Sequence, residues 1–540
     1  MRASGRPAAL PRPAGDPRIE QNNGTIRTAQ PMLKRRDLLQ LAGTAAAFAA
    51  VSPVSSALAD NPAAEPTPFS NSSVVDLARV LSTKPFSAPN AELPGPLANL
   101  SQEAFAAIHA KPEGLIWADN SSDFVIEPLH RGFVYTTPMM IYLVEDGQAR
   151  RLNYDASKFI FGGVNLPSPP VNLDFSGFRV LRRDDHGALK ELAVFQGASF
   201  FRSLAPGQNF GVTARGLSIR TGDARGEEFP IFRAVWIEKA SVAANALTVN
   251  ALLDSDSVAG AYRFTLHPGD ATIIDVECSL FPRAPIDLFG LATMSATCSF
   301  NPLDRRGDDD IRESAEELTG LQMLTGAGEW LWRPVANRGN LQISEFVDQN
   351  PKGFGFLQRN RDFDDFYDLA QRWELRPSLW IEPIGDWGSG SVELVEIPSD
   401  NETAQNMIAF WRSKTPLAKG QQADFAYRQF WCWTPPSQPS VATTAGTRGG
   451  RGAAAKQRRF LVEFRGDTLA DAARLADAKP NISVFPGKVV AQRVYRAPES
   501  KSCYVQFDLD PGGEAAVEIR LTLDAQGAPL TETWLYRWTQ

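Results

Sequence analysis

Apolar and polar residues alternate at every second position in the last part of the chain. Four apolar side chains alternate with polar ones between residues 517 and 523, and the segment 503–509 repeats the pattern. A period of two places the apolar side chains on one face of a half-buried β-strand. Both segments are therefore predicted to be strands.

Most of the chain after residue 60 has this character, with short strand-like runs separated by Gly, Pro, Asn and Asp. The 41 glycines and 39 prolines favour many turns, so the pattern predicts an all-β protein built of sandwiches. Two local helices are expected. Ser73 caps one that runs over 74–81, and Asp467 caps one over 469–478 that is ended by Pro480.

A break in the strand pattern at 413–422 predicts two domains. We expect a large β-sandwich domain at 60–415 and an immunoglobulin-like β-sandwich at 420–540, whose length of about 120 residues suits that fold. Inside the second domain, residues 434–459 are rich in Pro, Ser, Ala, Gly and Arg. This composition predicts a mobile surface loop.

Residues 1–59 are predicted to be a non-mature leader, with Met32 as the true start. Arg35 and Arg36 precede two leucines and an Ala-rich apolar stretch, and small residues at 57–59 complete a signal peptide. Paired arginines fit the twin-arginine export pattern, so the export machinery of that pathway is an expected partner and the periplasm the expected location. The apolar stretch falls short of the roughly 20 residues of a spanning helix, which disfavours a membrane anchor.

The net charge and the spacing of the histidines and cysteines exclude several classes of function. The net charge is −7, without the basic excess that nucleic-acid binding needs, so no nucleic-acid partner is expected and neutral substrates fit better. The four histidines lack ligand spacing and no Cys-x-x-Cys occurs, so neither a metal site nor a cofactor is predicted. Cys278 and Cys298 are close enough in sequence to bridge neighbouring strands, but the pairing of the four cysteines stays open.

An ordered series of motifs covers nearly all of the chain after the leader. The most distinctive are Gly-Glu-Trp-Leu-Trp-Arg-Pro at 328–334, Asn-Pro-Lys-Gly-Phe-Gly-Phe at 350–356, Arg-Pro-Ser-Leu-Trp-Ile-Glu-Pro at 376–383 and Val-Glu-Leu-Val-Glu-Ile-Pro at 392–398. Weaker matches lie at 195–202, 214–219, 227–230, 251–255, 260–264 and 532–536. This set resembles the osmoregulated periplasmic glucan biosynthesis protein G/D family, and the twin-arginine signal is closest to its D-type.

The resemblance implies a fold, a substrate class and an assembly. It implies a large galactose-mutarotase-like β-sandwich that carries a cleft, joined by a short turn to a smaller immunoglobulin-like domain. The implied ligand is a β-glucan polysaccharide or oligosaccharide, expected to be β-1,2-linked. It also allows two copies to associate as a homodimer through the large domain.

The central segment combines aromatic rings with charged groups, as carbohydrate sites do, because sugars offer apolar C–H faces and a rim of hydroxyls. On strands such aromatic side chains pack in the hydrophobic core more often than they stack on a sugar ring. Arg333 and Glu382 are also able to form an ion pair inside the sandwich. The predicted substrate-binding residues are Trp330, Trp332, Arg333, Phe354, Arg361, Trp380, Glu382 and Tyr262.

Glycoside hydrolysis usually needs two carboxyl groups, and the resemblance shows where they are expected. The base position of hydrolytic family members corresponds to Glu317, but the acid position corresponds to Gln405. An amide has no proton to give at neutral pH. Glu402 is the one residue that we name as a replacement acid. Its simpler role is a surface carboxylate or a hydrogen-bond partner of a glucan hydroxyl. The acidic run 308–310 is most simply a solvated loop.

Three hypotheses follow. The favoured one is a family member that binds nascent glucan and controls the backbone structure of osmoregulated periplasmic glucans. The second is an active β-1,2-glucan hydrolase or transglycosylase with a relocated general acid. The third is a structural or partner-binding periplasmic protein.

Overall fold

Strands dominate the structure, a computed structural model that describes residues 65–165, 172–184, 186–241, 245–305 and 309–540. The predicted leader, including Met32 and the signal peptide, lies outside the described residues. Within these ranges no helix is both long enough and apolar enough to span a membrane.

The strands of the first half of the described chain are β1 Thr67–Pro68, β2 His109–Ala110, β3 Phe124–Leu129, β4 Met140–Glu145, β5 Gln148–Arg151, β6 Phe159–Ile160, β7 Gly177–Arg183, β8 Leu189–Gln196, β9 Phe200–Ser203, β10 Thr213–Arg215, β11 Ser218–Ile219, β12 Ile231–Glu238, β13 Leu247–Asp254, β14 Val258–His267, β15 Thr272–Pro282, β16 Phe289–Ala296 and β17 Cys298–Phe300. Those of the second half are β18 Ala315–Glu316, β19 Gly320–Leu324, β20 Trp330–Pro334, β21 Gln342–Gln349, β22 Gly353–Leu357, β23 Ser378–Ile384, β24 Ser389–Glu396, β25 Met407–Ser413, β26 Ala423–Cys432, β27 Thr443–Arg451, β28 Arg458–Arg465, β29 Lys479–Phe485, β30 Lys488–Ala497, β31 Ser502–Asp510, β32 Ala516–Ala525, β33 Ala528–Pro529 and β34 Thr533–Thr539.

Helical elements are short by comparison. The α-helices are α1 Asn71–Ser82, α2 Gly95–Ala98, α3 Gln102–Ala106 and α4 Ala472–Ala476. The 3₁₀ turns are Pro112–Gly114, Ala156–Lys158, Phe363–Asp365, Trp373–Leu375, Asp467–Leu469 and Pro498–Ser500.

Two large sheets enclose the main core. The large sheet has 16 strands in the order β1-β5-β4-β12-β13-β14-β15-β26-β23-β22-β19-β20-β34-β32-β29, with β33 beside β32. The ten-stranded sheet has the order β21-β24-β25-β16-β10-β9-β8-β7-β3, with β11 beside β16. Phe264 and Val276 of the large sheet share one core with Met294 and Ala409 of the ten-stranded sheet. This packing forms the first sandwich, and the all-β prediction is confirmed.

The second sandwich uses the far end of the large sheet. A four-stranded sheet, in the order β27-β28-β31-β30, contributes Phe460 and Phe507 to a second core, where they meet Leu521 and Trp534 of the large sheet. The predicted strands at 503–509 and 517–523 are confirmed as β31 and β32. Their apolar side chains lie in this core and are no more than 2% exposed.

The topology differs from the predicted division at 415 and 420. Strand β26 follows that point, yet it pairs with β15 and β23 inside the large sheet. The chain leaves the first sandwich only after Cys432. A boundary between 415 and 420 therefore separates strands of the same layer.

Residues 434–459 were predicted to be a loop, and this is wrong for the middle of the segment. Residues 443–451 form β27, which pairs along its length with β28. β27 is an edge strand and carries few apolar side chains because little of it faces the core. The apolar pattern was too weak to indicate it.

Both helix predictions need shifted bounds. Helix α1 begins earlier than predicted, since Ser70 rather than Ser73 occupies the N-cap, and the two serines form a capping box. The predicted helix 469–478 is a 3₁₀ turn followed by α4, which Asp471 caps. Pro480 lies within edge strand β29, where a missing N–H is tolerated. All four cysteines are buried free thiols.

Candidate functional site

The structure brings the two predicted catalytic positions, Glu317 and Gln405, to the same stretch of backbone. Glu317 accepts a hydrogen bond on Oε2 from the Thr297 amide at 3.0 Å. Asn406, next to Gln405, accepts from the Cys298 amide at 2.9 Å and donates to the Cys298 carbonyl at 2.9 Å. Residues 297 and 298 therefore hold both positions close together.

Gln405 meets the outer face of the ten-stranded sheet, the face opposite the main core. Its Nε2 donates to Thr213 Oγ1 at 2.5 Å. Thr213 lies opposite Ser295 on β16, while the next pair, Ala214 and Met294, points into the core. Because side chains alternate between faces, Thr213 and Ser295 share the outer one. Ser295 Oγ is buried there with no hydrogen-bond partner among the described residues.

Two arginines lie close to Glu317. Arg202 stands on β9 and stacks over the Phe210 ring at 4.7 Å. Arg376 donates to the Phe210 carbonyl and, at 2.9 Å, to the Gln371 carbonyl. We call Arg202, Thr213, Glu317, Arg376 and Gln405 the polar cluster.

Burial shifts the pKa values of Glu317 and Arg376 in the polar cluster. Glu317 is 9% exposed, and burial raises the pKa of its carboxyl, while Arg376, the Thr297 amide and Arg202 oppose the rise. Burial likewise lowers the pKa of Arg376, and Glu317 is the main opposing charge. The site thus holds a desolvated carboxyl whose charge two nearby guanidinium groups favour, and the Gln405 carboxamide comes from the segment bonded to the same stretch of backbone.

Glu402, the predicted replacement acid, is held by an arginine. Arg312 donates to both of its carboxylate oxygens, at 2.7 and 2.9 Å. The same guanidinium contacts Asp310 at 2.8 Å and Asp368 at 2.8 Å. Glu402 is therefore unable to present a free oxygen without breaking a bidentate ion pair.

The acidic run is only partly described, because Asp308 lies outside the described residues. Asp309 is exposed, as predicted for a solvated loop. Asp310 instead pairs with Arg312, whose hydrogen bonds lower the pKa of Asp310 to about 2. Arg312 therefore ties three segments together: 309–313, 363–376 and 399–406.

Several predicted sugar contacts lie in the core, and for them the prediction is corrected. These side chains are 0 to 3% exposed and leave no ring face or charged group for a ligand: Tyr262, Trp332, Arg333, Phe354 and Trp380. Strands β20, β22 and β23 are covered on both faces: Phe354 packs into the first core, and Trp332 and Trp380 pack into the second. The Tyr262 hydroxyl, for example, donates to the Gly216 carbonyl at 2.8 Å.

The predicted charged residues mostly support the fold. Arg333 pairs with Glu396 at 2.9 Å, not with Glu382. Glu382 accepts from the Ser437 hydroxyl at 2.8 Å. Trp330 is half-buried and stacks on Trp380 at 5.8 Å.

Arg361 acts on the polar cluster indirectly. It donates to the Arg376 carbonyl at 2.6 Å and to the carbonyls of Glu374 and Trp433, each at 3.0 Å. Burial lowers its pKa to about 10. Arg361 thus fixes the backbone from which Arg376 projects, instead of facing solvent.

Sequence reasoning missed Arg202, Thr213 and Arg376. Arg202 and Arg376 stand at the ends of two of the quoted motifs, 195–202 and 376–383. The motifs therefore contain both residues, but nothing in the sequence indicates a function for them. Thr213 carries no sequence signal, since a threonine on a strand is unremarkable until its partner is known.

A second depression elsewhere on the ten-stranded sheet contains none of the polar cluster. Its lining residues are Ser218, Arg220, Thr221, Leu288, Phe289, Gly290, Glu393, Phe410 and Arg412. Arg412 and Glu393 pair across it at 2.9 Å. We therefore place the candidate site at the polar cluster.

These features define a class: a two-sandwich β-protein with a desolvated carboxyl, arginines and amides on the outer face of one sheet. The chain belongs to the family described as "Periplasmic glucan biosynthesis protein, MdoG", whose model matches residues 69–538. Membership gives it a role in glucan biosynthesis and a periplasmic location.

Two named relatives agree with this assignment. A "Glucans biosynthesis protein G" of Rhodopseudomonas palustris (strain BisA53) is 42% identical over 481 residues, which cover 88% of this chain and 94% of the relative. One of Bradyrhizobium diazoefficiens is 39% identical over 518 residues, with coverages of 94% and 100%. Among solved structures, a galactose mutarotase related enzyme from Lactobacillus acidophilus covers 47% of this chain and 94% of its own, at 8% identity and a TM-score of 0.20.

Proposed function

We propose that this protein binds a β-glucan, β-1,2-linked, at the polar cluster and controls the backbone structure of periplasmic glucans without hydrolysing them. Guanidinium, amide and hydroxyl groups on the outer face suit the hydroxyl rim of a sugar. Partly exposed aromatic rings beside them, Phe200 and Phe210, suit its apolar faces.

One observation carries the proposal: the predicted acid position holds the carboxamide of Gln405, which already donates to Thr213. An amide is not a general acid, and the loss of one typically costs about 10²- to 10⁴-fold in rate. Glu402 does not take over, because Arg312 occupies both of its oxygens.

The alternative is a hydrolase or transglycosylase with a relocated acid. Its supporting observation is Glu317, whose pKa is raised by burial in the manner of a catalytic acid. That assignment would leave the base role empty, since Glu402, the other predicted catalytic carboxylate, is paired with Arg312. The binding role therefore fits the geometry better.

Binding is tested with purified mature protein and linear β-1,2-glucan in native affinity gels and calorimetry. We expect retardation by β-1,2-glucan, little by a β-1,4-glucan of equal length, and binding at least 10-fold weaker for Arg202→Ala. Arg428→Ala, which removes an exposed arginine of the large sheet, is the matched control. No retardation of the wild type by any β-glucan would contradict the proposal.

Export and assembly remain predictions that separate experiments test. We propose a D-type member exported by the twin-arginine machinery, so replacing Arg35 and Arg36 by lysine should leave the precursor in the cytoplasm. A homodimer predicts twice the mass of the chain in sedimentation. Normal export of the double-lysine variant would contradict the first proposal, and a monomeric mass the second.

A further inference from the structure

The outward face of the four-stranded sheet presents two neighbouring tyrosines. Register places Glu463, Tyr504 and Tyr495 in one row across β28, β31 and β30. The adjacent row contains Gln506 and Arg493. We call Glu463, Arg493, Tyr495, Tyr504 and Gln506 the tyrosine face.

This face is turned away from the core of the second sandwich. The residues that alternate with it on β28 and β31, such as Val462 and Val505, are fully buried. Tyr495 is 47% exposed, and Tyr504 is partly exposed. Directly opposed residues of antiparallel strands have Cβ atoms about 4.5–5.5 Å apart, so the two tyrosine side chains leave the sheet from neighbouring positions.

Polar groups surround the two rings. The Tyr504 hydroxyl donates to Glu463 at 3.3 Å. Across the described part of the chain, neither the Gln506 amide nor the Arg493 guanidinium has a hydrogen-bond partner. Tyrosine rings bordered by unused amide and guanidinium donors suit a sugar chain better than an apolar protein surface.

The face continues toward the candidate site. Arg448 lies opposite Leu461, in the same row as Gln506 and Arg493. The amide of Gly449, the next residue on β27, donates to the Pro302 carbonyl at 3.4 Å, and Arg305, three residues after Pro302, donates to the Arg312 carbonyl at 2.9 Å.

Arg312 in turn is bonded to the segment 363–376 and to the candidate site. Arg312 bonds Asp368 in this segment and Glu402 in the segment that carries Gln405. The tyrosine face and the polar cluster are thus linked through one set of loops.

We infer that the tyrosine face is a second glucan-contact surface, which binds the part of a long glucan chain that extends beyond the polar cluster. This rests on the proposed function, because the ligand is the same polymer. A short oligosaccharide fills the polar cluster alone, whereas a long chain contacts both surfaces and gains affinity from the second.

The test compares a short β-1,2-glucan oligosaccharide with a long linear β-1,2-glucan by calorimetry. In the variant Tyr495→Ala/Tyr504→Ala, affinity for the long glucan should fall about 10-fold, the scale of two lost ring contacts. Affinity for the short oligosaccharide and the melting temperature should stay unchanged. The ring-retaining control Tyr495→Phe/Tyr504→Phe should bind like the wild type.

The outcomes separate the two claims. Undiminished binding of the long glucan by the alanine variant overturns the inference and leaves the proposed function intact. Unchanged glucan binding together with a smaller particle mass would show a protein interface instead, and also overturns it. A wild type that binds neither glucan refutes the proposed function and, with it, the inference.

Discussion

Glu316 is a carboxyl buried immediately before the site residue Glu317, on the opposite side of the strand. Its Oε2 accepts from Asn301 Nδ2 at 2.9 Å, and the Cys298 thiol is nearby. Burial raises its pKa to about 8, against an ordinary value of 4.5. Between these values the folded protein keeps a proton that the unfolded chain releases.

Stability should therefore fall as pH rises from about 4.5 to about 8 through this group, and then level off. Glu316→Gln keeps an acceptor for Asn301 and removes the titration. We expect the variant to gain stability relative to the wild type, more at pH 8 than at pH 5, in urea unfolding. An equal difference at the two pH values would contradict the assignment.

Arg312 is the residue on which the position of Glu402 depends. Arg312→Ala leaves Asp368, whose side chain is 9% exposed, without its cation. We expect the free energy of unfolding to fall by about 1–3 kcal/mol and proteolysis within 363–376 to accelerate. Arg225→Ala removes an exposed ion pair and should leave both measurements almost unchanged. Equal effects of the two substitutions would show that Arg312 has no tethering role.

At the level of single residues, the sequence identified some members of the site but not the side chains that bond to them. Gln405 was identified because a motif fixes its position, and its amide chemistry needs no structure. The engagement of Glu402 was not predictable, since its partner Arg312 is 90 residues away in sequence. Nothing local to either residue indicates the ion pair.

Parallel pairing of β34 with β20 joins the two sandwiches, and Glu532 lies at this junction. Its buried carboxylate accepts from Arg359 at 2.6 and 3.0 Å, from Gln322 at 3.1 Å and from the Thr444 amide at 2.7 Å. It therefore bonds β19, β27 and the second residue after β22 at once.

Glu532→Ala should destabilise the protein by about 3–5 kcal/mol, because it leaves a mostly buried arginine unpaired. The measurement is urea unfolding at neutral pH. Glu518→Ala on neighbouring β32 removes an exposed carboxylate and should have little effect. A small loss for Glu532→Ala would show that Arg359 finds another partner.

Period-two alternation identified β31 and β32, but it did not tell which face of a strand is covered. Phe354 and Trp380 were assigned to a sugar site on the strength of their residue types, yet their strands lie in the middle of the large sheet. Edge strand β27 was missed for the opposite reason, because an exposed strand needs few apolar residues. Burial depends on neighbours that are distant in sequence.

At the scale of the whole molecule, one sheet serves two cores. The large sheet runs without interruption from β1 at one end to β29 at the other, so the sandwiches share a backbone hydrogen-bond network. The sequence predicted two sandwiches, but it placed their boundary before β26, which returns to the first. The amino-acid composition of a strand does not indicate which sheet it joins, so the return of β26 to the first sandwich was not predictable.

The most direct test of the whole account measures reducing-end release from β-1,2-glucan by the wild type, Gln405→Asp and Gln405→Asn. The wild type and Gln405→Asn should stay at background. Gln405→Asp restores an acid at the predicted acid position and should raise the rate by about 10²-fold or more. Sustained release by the wild type that Glu402→Gln abolishes would contradict the account.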